Sequence, residues 1–270
     1  MKWFARTLTF TLLLLSSCHE TISYGNNACA GKYYDLRGIK MYCEIYGEGP
    51  PLLMIHGNGG SIKAFENNIA YFAKKYKVIV ADSRAQGKTI DRKDSLSFEM
   101  MADDEAALLE VLHIDSAYVL GWSDGGINAL LLAMRHPGKV IKLVATGANL
   151  WPDSTAVIPS GWKEDKIRFE TTDTKHFTAE QKNGWKLFLL DWLQPNISLQ
   201  ELHDIKCPSL IICGDHDVIR IEHTMLIYKN IPRASLWIVP HSGHGTLIEH
   251  KDEFNKKVDD FFSGPFPDKK

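Results

Sequence analysis

From about residue 33 onward, short apolar runs alternate with amphipathic stretches. Pro51-Leu-Leu-Met-Ile-His56, Lys77-Val-Ile-Val-Ala-Asp82, Ala117-Tyr-Val-Leu-Gly121, Val140 to Thr146 and Pro208-Ser-Leu-Ile-Ile-Cys-Gly214 have the character of strands buried on both faces. Ile39 to Tyr46 alternates in part, and Ser235 to Pro240 closes the series. Between them, Ile62 to Lys74, Ser97 to Leu112, Gly125 to Arg135, Glu222 to Asn230 and Thr246 to Phe262 read as helices. In Ser97 to Leu112 the apolar positions are Met101, Leu108, Leu109 and Leu112. Acids gather near its start, where the helix dipole favours them. Strand–helix repeats of this length predict an α/β fold, with a mostly parallel central sheet flanked by helices on both faces.

The rhythm breaks between residues 150 and 205. Trp151, Trp162, Trp185 and Trp192 fall there among mixed charges, with no strand–helix repeat. A tryptophan-rich insertion between two runs of repeats is expected to form a mainly helical lid over a binding pocket. Packing of a small helical subdomain accounts for the same tryptophans. The expected organisation is a core from 31–149 and 206–264, interrupted by a lid at 150–205.

The N-terminus has a different composition. Lys2 and Arg6 precede an apolar run from Leu8 to Leu15, which is too short to span a bilayer and reads as a signal peptide over 1–17. Leu15-Ser16-Ser17-Cys18 resembles a bacterial lipobox. That resemblance implies a lipid-modified Cys18, a tether over 18–30, and a bacterial cell-envelope lipoprotein facing the periplasm or sited in the outer membrane. His19 after the cysteine differs from the aspartate that retains such proteins at the inner membrane. An ordinary cleaved signal peptide, with Cys18 incidental, is the competing reading.

Composition narrows the function class. The 270 residues carry a formal net charge of -2 with both signs mixed, so there is no basic stripe to support nucleic-acid binding. A small-molecule substrate is the expected partner, and membrane contact is expected through the Cys18 anchor alone. Export would permit oxidation of Cys29, Cys43, Cys207 and Cys213. Cys207 and Cys213 bracket one strand, about 20 Å apart, beyond disulfide reach. A Cys29–Cys43 pair stays open. No cysteine pair has metal-ligand spacing, and neither a metal nor a cofactor is expected.

The chemistry centres on Gly121-Trp122-Ser123-Asp124-Gly125, which lies between an apolar strand and an apolar helix. Gly-x-Ser-x-Gly forms a strained turn that lifts the serine hydroxyl out of the sheet and sets it at a helix N-terminus. A serine needs a base. His241-Ser-Gly-His244-Gly follows the last strand, and His244, flanked by glycines, is the candidate, with His241 structural. The imidazole needs an acid to fix its tautomer. Gly214-Asp-His-Asp217 follows the strand after the insertion; Asp217 is the candidate, and Asp215 is read as a turn residue.

The chain order Ser123, Asp217, His244, with the strand–loop context of each, resembles the α/β-hydrolase superfamily. The resemblance runs from about Tyr33 to Phe262. His56-Gly57-Asn58-Gly59 is similar to the family's oxyanion segment, which implies that the backbone N–H groups of Asn58 and Asp124 hold the oxyanion. A donor of that kind is worth about 3 kcal/mol of transition-state stabilisation. Asp82-Ser-Arg-Ala-Gln-Gly87 resembles the family's Asp-x-Arg-Gly-x-Gly segment, with Ala85 where glycine is usual. Serine at position 123 argues against dehalogenases and epoxide hydrolases, which place aspartate there. Gly-Trp-Ser-Asp-Gly-Gly followed by Ile-Asn-Ala-Leu is similar to the biphenyl hydrolase-like group, which includes amino-acid ester hydrolases. The reading is a serine hydrolase of small carboxylic esters. Gly57, Trp122, Asp124 and Trp151 are the candidate substrate contacts. Asp124 either binds a substrate amino group or complements the helix N-terminus. C–C bond hydrolysis, peptide cleavage or perhydrolysis on the same triad, and a non-catalytic binding protein, are the alternatives.

Overall fold

The computed structural model describes residues 23–93 and 95–266. The chain forms eight strands: β1 (Gly31–Leu36), β2 (Ile39–Tyr46), β3 (Pro51–Ile55), β4 (Lys77–Ala81), β5 (Ala117–Trp122), β6 (Val140–Thr146), β7 (Ser209–Gly214) and β8 (Ala234–Val239). They make one sheet in the order β1-β2-β4-β3-β5-β6-β7-β8. β2 pairs antiparallel with β1 and β4, and the neighbours from β4 to β8 pair parallel. The α/β-hydrolase fold expected from the sequence is the fold observed.

The apolar runs are buried because helices cover both faces. Alternate residues along a strand face opposite sides, and the core divides accordingly. Leu53, Ile55 and Ile79 join one apolar layer with α2 (Phe98–Val111) and α3 (Asp124–Arg135). Leu52, Met54, Val78 and Val80 join the other, with Phe65, Phe254, Val258 and Phe262. That second layer is completed by α1 (Ile69–Phe72), α7 (Thr246–Glu249) and α8 (Lys251–Ser263), while α6 (Ile221–Asn230) packs on β7 and β8.

Some elements differ from expectation for identifiable reasons. The helix expected over 62–74 is a 3-10 turn, Ile62–Phe65, followed by the short α1. Between them the buried Asn68 donates its side-chain amide to Leu247 O and to Asn255 Oδ1, at 3.1 and 2.7 Å. The helix expected over 246–262 breaks at His250, whose ring instead bonds the His241 carbonyl. β1 lacks an apolar pattern because it is an edge strand, and Tyr33 in it is exposed.

α4 (Pro159–Thr171) and α5 (Ala179–Leu193) fill the interval between β6 and β7. α5 starts with a capping box from Thr178 and Gln181 and buries Leu187, Phe188 and Leu190. α4 fully buries none of its residues. It is held by aromatic contacts, with Trp162 and Phe169 against Trp192 at ring separations of 5.9 and 5.4 Å.

The leader features at Lys2, Arg6, Leu8 to Leu15 and Cys18 lie outside the described residues. Residues 24–30, expected within the tether, instead lie against the sheet. The Gly25 and Asn27 N–H groups donate to the Glu44 carboxylate at 2.8 Å each. Tyr42 and Tyr46 hydroxyls donate to it as well, so four donors satisfy a fully buried acid. Cys29, Cys43, Cys207 and Cys213 are free thiols.

Candidate active site

The strand order reverses beside β3: the chain steps out to β4 on one side and returns to β5 on the other. Open α/β sheets bind ligands at the carboxyl ends of strands at such a point. Ser123 stands there, after β5. Its backbone has φ 58 and ψ -122, a conformation L-residues avoid. Close packing imposes it. A Cβ on Gly121 would stand 2.0 Å from Gly125 O, and one on Gly125 would stand 1.9 Å from Ile55 O. Ser123 is the N-cap of α3, yet its side chain makes no capping bond. The hydroxyl is left for other work.

That work is visible in the neighbouring bonds. The Ser123 Oγ–H donates to His244 Nε2 at 2.9 Å, and His244 Nδ1–H donates to Asp217 Oδ1 at 2.7 Å. The carboxylate accepts only, which fixes the imidazole tautomer. Asp217 is buried and its Oδ1 also accepts the Ile219 N–H at 2.9 Å. Trp122 Nε1–H holds the His244 carbonyl at 2.9 Å. Asp215 accepts the Ser242 N–H and the His216 ring. Backbone donation near His241 holds its carboxyl well below the usual range, which suits a turn residue.

On the other side of Ser123 is the turn after β3. Gly57 backbone packs directly on the serine, where a Cβ would lie 2.9 Å from Ser123 Cβ. His56 Nε2 accepts the Ser83 N–H at 3.0 Å, so Nδ1 carries the proton and donates to Gly57 O at 2.7 Å. Burial lowers the His56 pKa and keeps the ring neutral. Asp124 opens α3, where first-turn N–H groups have no intrahelical acceptor. In the segment after β4, Arg84 is buried against Asp104 and Asp91, and Asp82 accepts the Ile62 and Lys88 N–H groups. Ala85 holds φ 64 there, the left-handed conformation that glycine takes without strain.

A cavity of about 160 Å³ opens over Ser123 and His244. Trp162 and Asp165 of α4 and Asp191 and Trp192 of α5 line it, with Asp124 and Val218. Larger depressions of about 910 and 630 Å³ run along β1 and beside residues 85–93, but contain neither Ser123 nor His244. Three carboxyl groups therefore surround the nucleophile. Burial pushes the Asp124 carboxyl up to about 6, although hydrogen bonds from Asp191 and Asn58 favour its ionised form. Burial and the Asp124 charge raise Asp191 well above the carboxylate range. The pair titrates as a unit, and Asp191 is the member that keeps a proton longer.

The structure brings Ser123, His244, Asp217, Asn58, Gly57 and Asp124 together. It does not bring the two candidate tryptophans to the cavity wall. Trp122 packs into the core behind His244, and Trp151 stacks edge-on against His223 and donates to Thr155. Asp165 and Asp191 were not singled out by sequence reasoning. The signal for Asp191 was present: one acid inside the apolar run Leu187-Phe-Leu-Leu-Asp-Trp-Leu193. Among the described residues, no group of three or more metal-ligating side chains is assembled.

Residues 50–174 match the family model described as alpha/beta hydrolase fold. The serine hydrolase BPHL of Homo sapiens is 28% identical, over 88% of this chain and 88% of that protein. The 2-hydroxy-6-oxononadienedioate/2-hydroxy-6-oxononatrienedioate hydrolase of Comamonas testosteroni is 26% identical, over 84% of this chain and 93% of that protein. Among solved structures, a hydrolase from Pseudomonas aeruginosa superposes with a TM-score of 0.76 at 19% identity, covering 88% of this chain and 100% of that one. The enol-lactonase from Burkholderia xenovorans gives 0.71 at 20% identity, covering 86% and 100%. With the sheet order, the serine elbow and the match over residues 50–174 in agreement, the chain has the α/β-hydrolase fold.

Proposed function

We propose that this chain is a serine hydrolase that cleaves small carboxylic esters through an acyl-enzyme and favours acyl groups bearing an amine. The observation that carries the reading is the bonded series Ser123, His244, Asp217 at 2.9 and 2.7 Å beneath a cavity. Ser123 Oγ attacks the ester carbonyl as His244 takes its proton. The negative oxygen is held by the N–H groups of Asn58 and Asp124. His244 then protonates the departing alkoxide, and water attacks the acyl-enzyme with His244 again as base. Asp217 stabilises the imidazolium formed in each half.

The three cavity carboxyl groups choose among related reactions. The Comamonas relative is named for dioate substrates, which carry two negative charges. A cavity lined by Asp124, Asp165 and Asp191 repels such a molecule and attracts an ammonium group. The direction of the Asp124 shift also bears on its role. A simple helix-dipole partner would be held ionised, whereas burial here dominates and leaves a carboxyl that gains from a cation. A serine-type, amine-accepting ester hydrolase accords with both.

Matched aryl esters, with and without an α-amino group, test the reading. Ser123→Ala is expected to abolish turnover of both while melting like the wild type. The ratio of kcat/KM for the amino ester over the neutral one should rise with pH through about 6, as Asp124 ionises. Taking the ratio cancels any pH effect common to the two esters. Turnover by Ser123→Ala would exclude the mechanism, and a flat ratio unchanged in Asp124→Asn would remove the amine preference. We further place the enzyme in the bacterial envelope on a lipidated Cys18; fatty-acid labelling that survives Cys18→Ala would overturn this.

A further inference from the structure

Asn58 contributes to the site twice. Its backbone N–H is the proposed oxyanion donor, and its side chain has a separate set of contacts. The primary amide Nδ2 donates to Asp124 Oδ2 at 2.9 Å and to Leu187 O at 3.1 Å. Asp124 belongs to the nucleophile elbow. Leu187 and Asp191 lie one turn apart on α5, in the lid. One amide thus joins the oxyanion turn, the elbow and the lid.

The turn that carries Asn58 needs such a restraint. Gly57, Gly59 and Gly60 surround it, and glycine backbones are the freest to rotate. His56 holds the start of the turn by its bond to Gly57 O, and Gly60 N–H closes it on the same carbonyl. Both bonds hold the planar Gly57–Asn58 peptide from its carbonyl side, and the Asn58 side chain adds a restraint from the elbow and α5. An oxyanion donor is effective only when it is aimed before the charge develops.

We propose that the Asn58 side chain is a clasp coupling the seating of lid helix α5 to the aim of the oxyanion donor, which makes Asn58 a positioning residue for acyl transfer. The inference rests on the serine-hydrolase reading above. Seating α5 presents Leu187 O to the amide, which draws the turn into place. Withdrawing α5 removes the Leu187 acceptor and leaves the Gly57–Asn58 peptide held from its carbonyl alone, so the donor's aim slackens and acyl transfer slows. The same amide favours the ionised form of Asp124 and ties the amine site to the same closure.

Asn58→Ala tests this directly because it keeps the backbone N–H and deletes both side-chain donors. On a neutral aryl ester, kcat is expected to fall about 10- to 100-fold with KM within about twofold, the pattern of a lost transition-state interaction. The pH at which the amino-to-neutral ester ratio rises should move upward, because Asp124 loses a donor. A role in packing alone would not move that pH. Asn58→Asp keeps the volume, also lacks the donors, and is expected to lose at least as much; it decides the matter if Asn58→Ala fails to melt cooperatively. A kcat within twofold of wild type, a loss confined to KM, or a fall in kcat without the pH displacement overturns the clasp. Wild-type labelling of Ser123 by a fluorophosphonate separates the two levels. Labelled and active wild type with an unaffected Asn58→Ala rejects the clasp alone, whereas an unlabelled, inactive wild type rejects the hydrolase reading beneath it.

Discussion

Gly147→Ala should disable the base without replacing any catalytic residue. Gly147 follows β6 with φ 66, and its N–H donates to Ile212 O at 3.0 Å. A Cβ added there would stand 2.7 Å from His244 Cε1 and 3.0 Å from Nδ1. Non-bonded carbons prefer about 3.5–4.0 Å, so the ring or the backbone must retreat by roughly 1 Å. The ring has little freedom to do so. Its nitrogens are committed to Asp217 at 2.7 Å and Ser123 at 2.9 Å, and its carbonyl is held by Trp122. Retreat lengthens one of those bonds, and a misplacement on the order of 1 Å costs about 100-fold in rate. An alanine at positive φ adds about 1–2 kcal/mol of strain. That corresponds to a fall in Tm of about 2–4 °C per kcal/mol. The assay is kcat and KM on a neutral aryl ester, with a thermal melt and the rate of fluorophosphonate labelling alongside. Because Gly147 does not line the cavity, KM should hold while kcat and labelling fall together. A folded variant with kcat within threefold of wild type would refute the reasoning.

Two further expectations concern stability. Glu105 is buried in α2, and burial, with the Asp104 charge adding, pushes its carboxyl from 4.5 up to about 8. Between those values the folded state holds a proton that the unfolded chain has lost, so stability falls as pH rises toward 8. Glu105→Gln removes that slope, and its denaturant-derived advantage over wild type should grow by about 3 kcal/mol between pH 6 and pH 9; parallel curves would contradict this. Ala85 sits at φ 64 where a glycine is free of strain. Relief of about 1–2 kcal/mol exceeds the entropy a glycine adds to the unfolded chain, so Ala85→Gly should raise the melting temperature, and a lower Tm would reject the strain.

The parts of the site that read well from the sequence are those fixed by local sterics. Gly121 and Gly125 are needed wherever a strand turns sharply into a helix, so the elbow declares itself in five residues. Asp217 and His244 follow the apolar runs of β7 and β8, and the sheet then carries them to Ser123 independently of the segment between β6 and β7. The parts that read poorly depend on distant partners. The break at Asn68 follows from bonds to Leu247 and Asn255, far along the chain. Trp122, beside the nucleophile, and Trp151, in the tryptophan-rich insertion, are the tryptophan candidates for substrate contact. Their indole N–H groups instead found the His244 carbonyl and the Thr155 hydroxyl. Asp191 was readable only as an oddity, an acid on an apolar helix, until the fold placed it opposite Asp124.

That opposition bears on how selection could work here. A negative carboxylate beside an oxyanion is unfavourable; two like charges about 4 Å apart near a protein surface repel by about 4 kcal/mol. Asp124 follows the nucleophile directly and is buried, so on the proposed mechanism an ester would meet repulsion of this sign as the tetrahedral oxygen charges. Two features of the site moderate it: Asn58 donates to the carboxylate, and Asp191 retains a proton in its neighbourhood. A substrate ammonium would remove most of the remainder by pairing with Asp124 as the oxyanion forms. A neutral ester lacks that relief. On the proposed reading, the same carboxylate acts against one class of substrate and for another, and the discrimination falls on the transition state as well as on binding. For that reason the amino-ester preference should appear in kcat as well as in KM, and Asp124→Asn should narrow it by accelerating the neutral ester as well as slowing the charged one.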